Sequence, residues 1–151
     1  MAKVYIGLGS NLGDKEQNIK CALEKMKDAG LTILKVSSFV ATKPYGVLQQ
    51  PDFLNAVCLI QTQFTPQQLL ELLKDLEKQI GRQESERWGP RIIDLDILLY
   101  DDTIIKEDYL CIPHADMLNR RFVLEPLAQI APNLLHPVTG KSMKEHEENL
   151  K

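Results

Sequence analysis

The chain has no excess of positive charge: 18 lysines and arginines stand against 21 aspartates and glutamates in 151 residues, a formal net charge of -3 at pH 7. A general nucleic-acid binder usually carries a basic surplus, so nucleic acid is not an expected partner, although a local basic pocket for a small polyanion is compatible with the total. Cysteine is also scarce. Cys21, Cys58 and Cys111 are scattered, with neither a CxxC nor a paired spacing, which argues against a disulfide framework and points to a reducing cytoplasm. No apolar run approaches the ~20 residues that span a bilayer, so no membrane is expected. Met1-Ala2-Lys3 leads into an apolar strand rather than a secretory segment. Repeats, low-complexity tracts and linkers are missing too, and the length suits one domain over residues 1–151. With 44% hydrophobic and 26% charged residues, the composition is that of an ordinary globular chain.

What is present reads as alternating strands and helices. Lys3 to Gly9 is a short apolar strand, left through the turn Gly9-Ser10-Asn11-Leu12-Gly13-Asp14. Asp14 and Gln17 have capping-box spacing, Ile19, Ala22, Leu23 and Met26 form an apolar stripe, and Gly30 stops the helix. Leu31 to Thr42 and Phe53 to Phe64 are β-rich, joined by a candidate binding loop, Lys43 to Asp52, that holds two prolines and a glycine. Thr65-Pro66-Gln67-Gln68 opens a second helix with an N-cap, an N1 proline and an N3 glutamine; its stripe is Leu69, Leu72, Leu73, Leu76 and Ile80, closed by Gly81. The strand ending at Tyr100 completes strand, helix, strand, strand, helix, strand. That order predicts an α+β fold with a ferredoxin-like βαββαβ core, in a three-layer α/β/α sandwich. Short β pieces near Ile104 and Leu110 and a helix from Phe122 to Ile130, ended by Pro132, read as C-terminal additions.

Chemistry is concentrated in Arg87-Trp88-Gly89-Pro90-Arg91-Ile92-Ile93-Asp94-Leu95-Asp96-Ile97-Leu98-Leu99-Tyr100, a basic loop feeding a buried strand. Alternate side chains of a strand share a face, so the Asp94 and Asp96 carboxylates project together from backbone positions about 6.5–7 Å apart. Side by side they require a counter-cation. Oxygen-only ligands suit Mg²⁺, which keeps several waters and completes its shell with substrate phosphates. The competing reading pairs these aspartates with Arg91 or another arginine at a sheet surface. Arg82, Arg87 and Arg91, with Trp88 among them, match phosphate oxygens in a bidentate way; Glu84 and Glu86 offer them an alternative as surface ion pairs.

Other residues fit around this segment. Gly7, Gly9 and Gly13 follow neither GxGxxG nor the Walker spacing, so they read as a structural turn rather than a nucleotide loop. His114, followed six and seven residues later by Arg120 and Arg121, offers a second wall of positive charge. Phe53 and Phe122 read as core aromatics or, with Asn55 on the strand face of Phe53, as a set that holds a flat heteroaromatic ring.

The sequence resembles the 6-hydroxymethyl-7,8-dihydropterin pyrophosphokinase family of folate biosynthesis over nearly its whole length. Arg87 to Leu98 looks like the family signature without a gap. Gly9 to Gly13, Ser37-Ser38, Thr42 to Gly46, Gln50 to Asn55 and Pro113-His114 support it in order. The resemblance implies transfer of the β,γ-pyrophosphoryl unit of ATP to the pterin hydroxymethyl group, with AMP released, and two Mg²⁺ held by Asp94 and Asp96. It places Phe53, Phe122 and Asn55, with Thr42, Tyr45 and Gly46, around the pterin. It puts Lys74, Glu77, Arg87, Trp88, Arg91, Ile97, His114 and Arg120 on the ATP side, and Arg82, Arg91 and Asp96 in catalysis. Val40 and Ala115 depart from it, standing where relatives carry aromatics. A monomer is expected, with a homodimer left open.

Two other classes stay open at this point. A nucleotidyltransferase would also use paired aspartates on such a sheet, attacking the α-phosphorus and releasing pyrophosphate. An RNA-binding module on the same fold would need an aromatic and basic strand platform, which these strands do not concentrate.

Overall fold

The structure, a computed structural model, describes residues 1–42, 52–81 and 92–150. Strand β1 (Ala2–Ser10) is followed by helix α1 (Lys15–Asp28), strands β2 (Thr32–Val36), β3 (Val40–Thr42) and β4 (Phe53–Thr62), helix α2 (Pro66–Gly81) and strand β5 (Asp94–Tyr100). Beyond them lie a hairpin of β6 (Ile105–Glu107) and β7 (Leu110–Ile112), one 3₁₀ turn (Met117–Asn119), and helices α3 (Arg121–Ile130) and α4 (Met143–Asn149). The main sheet runs β2-β4-β1-β5, with β3 also on β4, and every pairing is antiparallel. This is the ferredoxin-like order that the element sequence predicts.

Local chemistry sets the helix starts. The Asp14 side chain accepts the Gln17 N–H at 3.2 Å. At α2 the capping box closes in both directions: Gln68 N–H donates to Thr65 Oγ1 at 3.2 Å and Thr65 N–H to Gln68 Oε1 at 2.9 Å. The expected β segment 31–42 is instead two strands. Ser37 breaks it because its hydroxyl takes the Val57 N–H at 2.9 Å, in place of a strand carbonyl.

The sheet is covered on both faces, which makes three layers. Ile19, Ala22 and Met26 of α1 and Leu69, Leu73 and Leu76 of α2 pack on Val4, Ile6, Leu8, Cys58 and Ile60. The other face packs Val57, Leu98 and Leu99 against Val123, Leu124 and Leu127 of α3 and Met143 of α4. Both Leu98 and Leu99 reach that side because the β1/β5 register shifts between Tyr5 and Ile6, leaving Leu98 without a register partner. Fixing β4 between two cores leaves its Cys58 thiol fully buried, its pKa pushed up to about 12 by burial. Among the described residues no helix is long and apolar enough to cross a membrane.

Candidate active site

Alternation along β1, β4 and β5 sends Val4, Ile6, Leu8, Ala56, Leu95 and Ile97 into the core beneath α1 and α2. On the opposite face a pocket of about 330 Å³ opens. Strand register arranges its floor as two rows. Asn55 pairs with Gly9, and Gly9 with Asp94; Val57 pairs with Gly7, and Gly7 with Asp96. Two carboxylates therefore face Asn55 and Val57 across a strip of bare backbone. Thr42 and Phe53 close the β4 side, while His114, Arg120 and Phe122 come from the segment that enters α3.

The polar side chains are held in place. Asn55, buried, donates from Nδ2 to Thr42 Oγ1 at 2.9 Å, which orients its amide. His114 donates its backbone N–H to the Leu98 carbonyl at 2.9 Å, and its Nδ1 accepts the Asp116 N–H at 3.2 Å. An accepting Nδ1 leaves Nε2 as the protonated nitrogen of the neutral ring. The Arg120 guanidinium lies 3.6 Å from the Asp116 carboxylate and 5.7 Å from the centre of the Phe122 ring. Arg121, by contrast, is exposed at 3.9 Å from Glu125 and does not line the pocket.

Asp94 is half-buried and Asp96 exposed, on the same face as their spacing requires. Between them, the Leu95 N–H donates to Glu77 Oε2 of α2 at 2.7 Å. Burial raises the Glu77 pKa; the Leu95 bond and Lys74 oppose this, while the charges of Asp94 and Asp96 add to it. That mutual repulsion marks a field that a cation relieves. No cluster of three or more His, Cys, Asp or Glu side chains suited to a metal occurs among the described residues. Two aspartates alone would supply only part of an oxygen shell, so a Mg²⁺ held there would need water and ligand oxygens to complete it.

Of the residues singled out from sequence, Thr42, Phe53, Asn55 and Phe122 meet Asp94, Asp96, His114 and Arg120 around this one pocket. Three others do not line it. Ile97 is 5% exposed with its side chain in the core under α2, Lys74 is exposed on α2, and Glu77 reaches the site through Leu95. Tyr45, Gly46, Arg82, Arg87, Trp88 and Arg91, with the loop from Lys43 to Pro51, lie outside the described residues. Gly7 and Gly9 lie within β1, as the strand from Lys3 to Gly9 predicts, and form the pocket floor rather than a strand-to-helix turn. Their signal in the sequence is two glycines at a spacing of two inside an apolar strand.

Residues 5–132 match the model of the 7,8-dihydro-6-hydroxymethylpterin-pyrophosphokinase (HPPK) family. The chain belongs to this family. It is 45% identical over 145 residues to the 2-amino-4-hydroxy-6-hydroxymethyldihydropteridine pyrophosphokinase of Aquifex aeolicus, covering 96% of this chain and 90% of the relative. It is also 47% identical over 147 residues to a folic acid synthesis protein of Pneumocystis carinii, where the match takes up 97% of this chain but 20% of that longer protein. Crystallised HPPK-DHPS of Plasmodium falciparum shares the fold, with a TM-score of 0.77 over 99% of this chain and 43% of that one, at 14% sequence identity. HPPK chains thus occur both alone and as parts of longer proteins, and this chain spans most of the former and a minor share of the latter.

Proposed function

We propose that this HPPK-family chain transfers the β,γ-pyrophosphoryl group of ATP to the hydroxymethyl group of 6-hydroxymethyl-7,8-dihydropterin, giving AMP and the pterin diphosphate in folate biosynthesis. The observation that carries this is the composition of one pocket: an aromatic and amide side, Phe53, Asn55 and Phe122, opposite a carboxylate pair with His114 and Arg120 at the rim.

In this reading Phe53 and Phe122 stack on the pterin, and Asn55, oriented by Thr42, reads its edge. Tyr45 and Gly46 belong to the same side. The His114 Nε2–H and the Arg120 guanidinium donate to phosphate oxygens, which Arg binds in a bidentate way. Lys74, Glu77, Ile97, Arg87, Trp88 and Arg91 belong to the nucleotide side, with Arg82 and Arg91 meeting the transferred group. Asp94 and Asp96 hold magnesium, as two ions, which when bound neutralises phosphate charge and orients the attacking and leaving oxygens. The protein's contribution is then positioning, since the floor rows set the pterin side and the carboxylates on either side of β1. No strong protein base is required, because positioning and charge neutralisation supply most of the catalysis. Residues 1–151 act as one pyrophosphokinase domain, monomeric and cytoplasmic, the last supported by three free cysteines.

Phosphorus NMR of the protein with Mg²⁺, ATP and 6-hydroxymethyl-7,8-dihydropterin tests the reading. AMP with a pterin diphosphate is the expected result. Inorganic pyrophosphate would make it a nucleotidyltransferase, and intact ATP would overturn the assignment.

A further inference from the structure

Glycine inside a strand forfeits packing and chain entropy, so its presence there calls for a reason. Gly7 and Gly9 have no backbone reason: the glycines with positive φ among the described residues are Gly13, Gly30 and Gly140. Space is the remaining explanation, and it differs between the two. A Cβ on Gly7 would touch the flexible end of Leu98 at 3.4 Å, an ordinary contact. A Cβ on Gly9 would stand 3.0 Å from Asn55 Oδ1 and 3.9 Å from the Phe53 ring. Asn55 has little freedom to yield, because it is buried and its Nδ2 is already committed to Thr42 at 2.9 Å.

We infer that Gly9 determines specificity for the pterin, by leaving Asn55 Oδ1 room to face the pocket as the acceptor that reads the ring edge. This rests on the pterin side of the proposed function and adds a residue to it. An added methyl pushes the Asn55 amide from its Thr42-bonded orientation and narrows the slot beside Phe53. The carboxylates of Asp94 and Asp96 project from the neighbouring strand, so the metal and phosphate side is spared. The inferred effect is therefore one-sided: the flat ring is lost, and the nucleotide is kept.

Calorimetry with a non-hydrolysable ATP analogue and Mg²⁺, and then with 6-hydroxymethyl-7,8-dihydropterin in the presence of both, tests this on wild type, Gly9→Ala, Gly7→Ala and Asn55→Ala. Gly9→Ala is expected to weaken pterin binding at least tenfold while the ATP analogue stays within twofold, and Gly7→Ala to weaken it less. In the Asn55→Ala background, Gly9→Ala should cost less than threefold more, because the group it displaces is gone. Unchanged pterin affinity in Gly9→Ala, or parallel loss of both ligands, would overturn the inference. Should Gly9→Ala fail to fold, the double variant takes its place: equality with Asn55→Ala supports the inference and a further tenfold loss overturns it. Wild-type protein that binds the ATP analogue but no pterin in its presence would instead overturn the functional reading itself.

Discussion

The Glu77 carboxylate accepts the backbone N–H of Leu95 at 2.7 Å, so a side chain of α2 grips β5 at the residue between the two pocket aspartates. Among the described residues β5 pairs with β1 alone in the main sheet, and an N–H on its other edge needs a partner from elsewhere. Glu77 supplies one at the point where the positions of both carboxylates are set.

Glu77→Ala should therefore cost about 1–2 kcal/mol, the usual penalty for leaving a partly buried donor unpaired. Glu77→Gln keeps the acceptor and removes the charge. The folded-state pKa of Glu77 is raised above its ordinary 4.5, chiefly by burial, with Asp94 and Asp96 adding to it. Its contribution to wild-type stability is thus fully present below pH 4.5 and falls as pH rises through the folded value. Metal-free Gln variant and wild type should match near pH 4, and the Gln variant should gain towards pH 7. Urea unfolding at both pH values checks this; a Gln variant that loses ground with rising pH would contradict it.

Asp96→Ala should leave folding intact and remove turnover. The carboxylate is exposed and its charge disfavours that of Glu77, so unfolding stability in urea should change by no more than about 0.5 kcal/mol. If Asp96 holds magnesium as proposed, losing that ligand and its charge stabilisation should lower kcat by at least about 100-fold. Steady-state assays over a magnesium titration are the measurement, and near-wild-type turnover in the folded variant would sink the two-metal assignment.

Much of the frame is legible in the sequence, and for local reasons. The Thr65 and Gln68 capping box, the leucine stripe of α2 and the β periods are contacts within a few residues, so spacing alone reports them. The same rule applied at Ser142 and Glu145, where the Ser142 side chain accepts the Glu145 N–H at 3.2 Å, finds α4. That helix is easily passed over because Met143 is its one buried residue and no stripe follows. The strand break at Ser37 depends on a hydroxyl reaching Val57, twenty residues away, and has no local mark. The role of Gly9 is less local still. It exists only once Asn55, Gly9 and Asp94 are placed in one row by register across three strands.

Phe122→Ala should weaken the pterin more than ATP. A stacked ring loses contact area together with its aromatic geometry, so a tenfold loss, about 1.4 kcal/mol, is a lower expectation. The nucleotide side is not wholly spared, since the Arg120 guanidinium rests 5.7 Å from the Phe122 ring centre. An exposed cation–π contact is worth about 0.5–1 kcal/mol, which bounds the ATP loss at roughly fivefold. Calorimetric losses of equal size for pterin and ATP analogue would argue against Phe122 as the stacking residue.

Acid should loosen the C-terminal segment before the sheet. His136 is buried, and its Nδ1 accepts the N–H of Val138 at 3.2 Å and of Thr139 at 3.4 Å, so that nitrogen must stay unprotonated. The His146 ring stands edge-on to it at 5.8 Å, with Nε2 2.7 Å from Thr139 Oγ1. Burial lowers both pKa values from 6.5; the His146 cation further disfavours charge on His136, while Lys141 disfavours and Glu145 favours the charge on His146. For a histidine with a depressed folded pKa, stability is complete above the unfolded value of 6.5 and is lost as pH falls through the folded value. The pair ties α4 to the turn after α3, through which Met143 enters the second core. Thermal midpoints measured from pH 8 to pH 5 should hold steady to about 6.5 and then decline, and His146→Gln should flatten the decline by removing one titrating group. An equal acid slope in wild type and variant would assign the loss to carboxylates elsewhere.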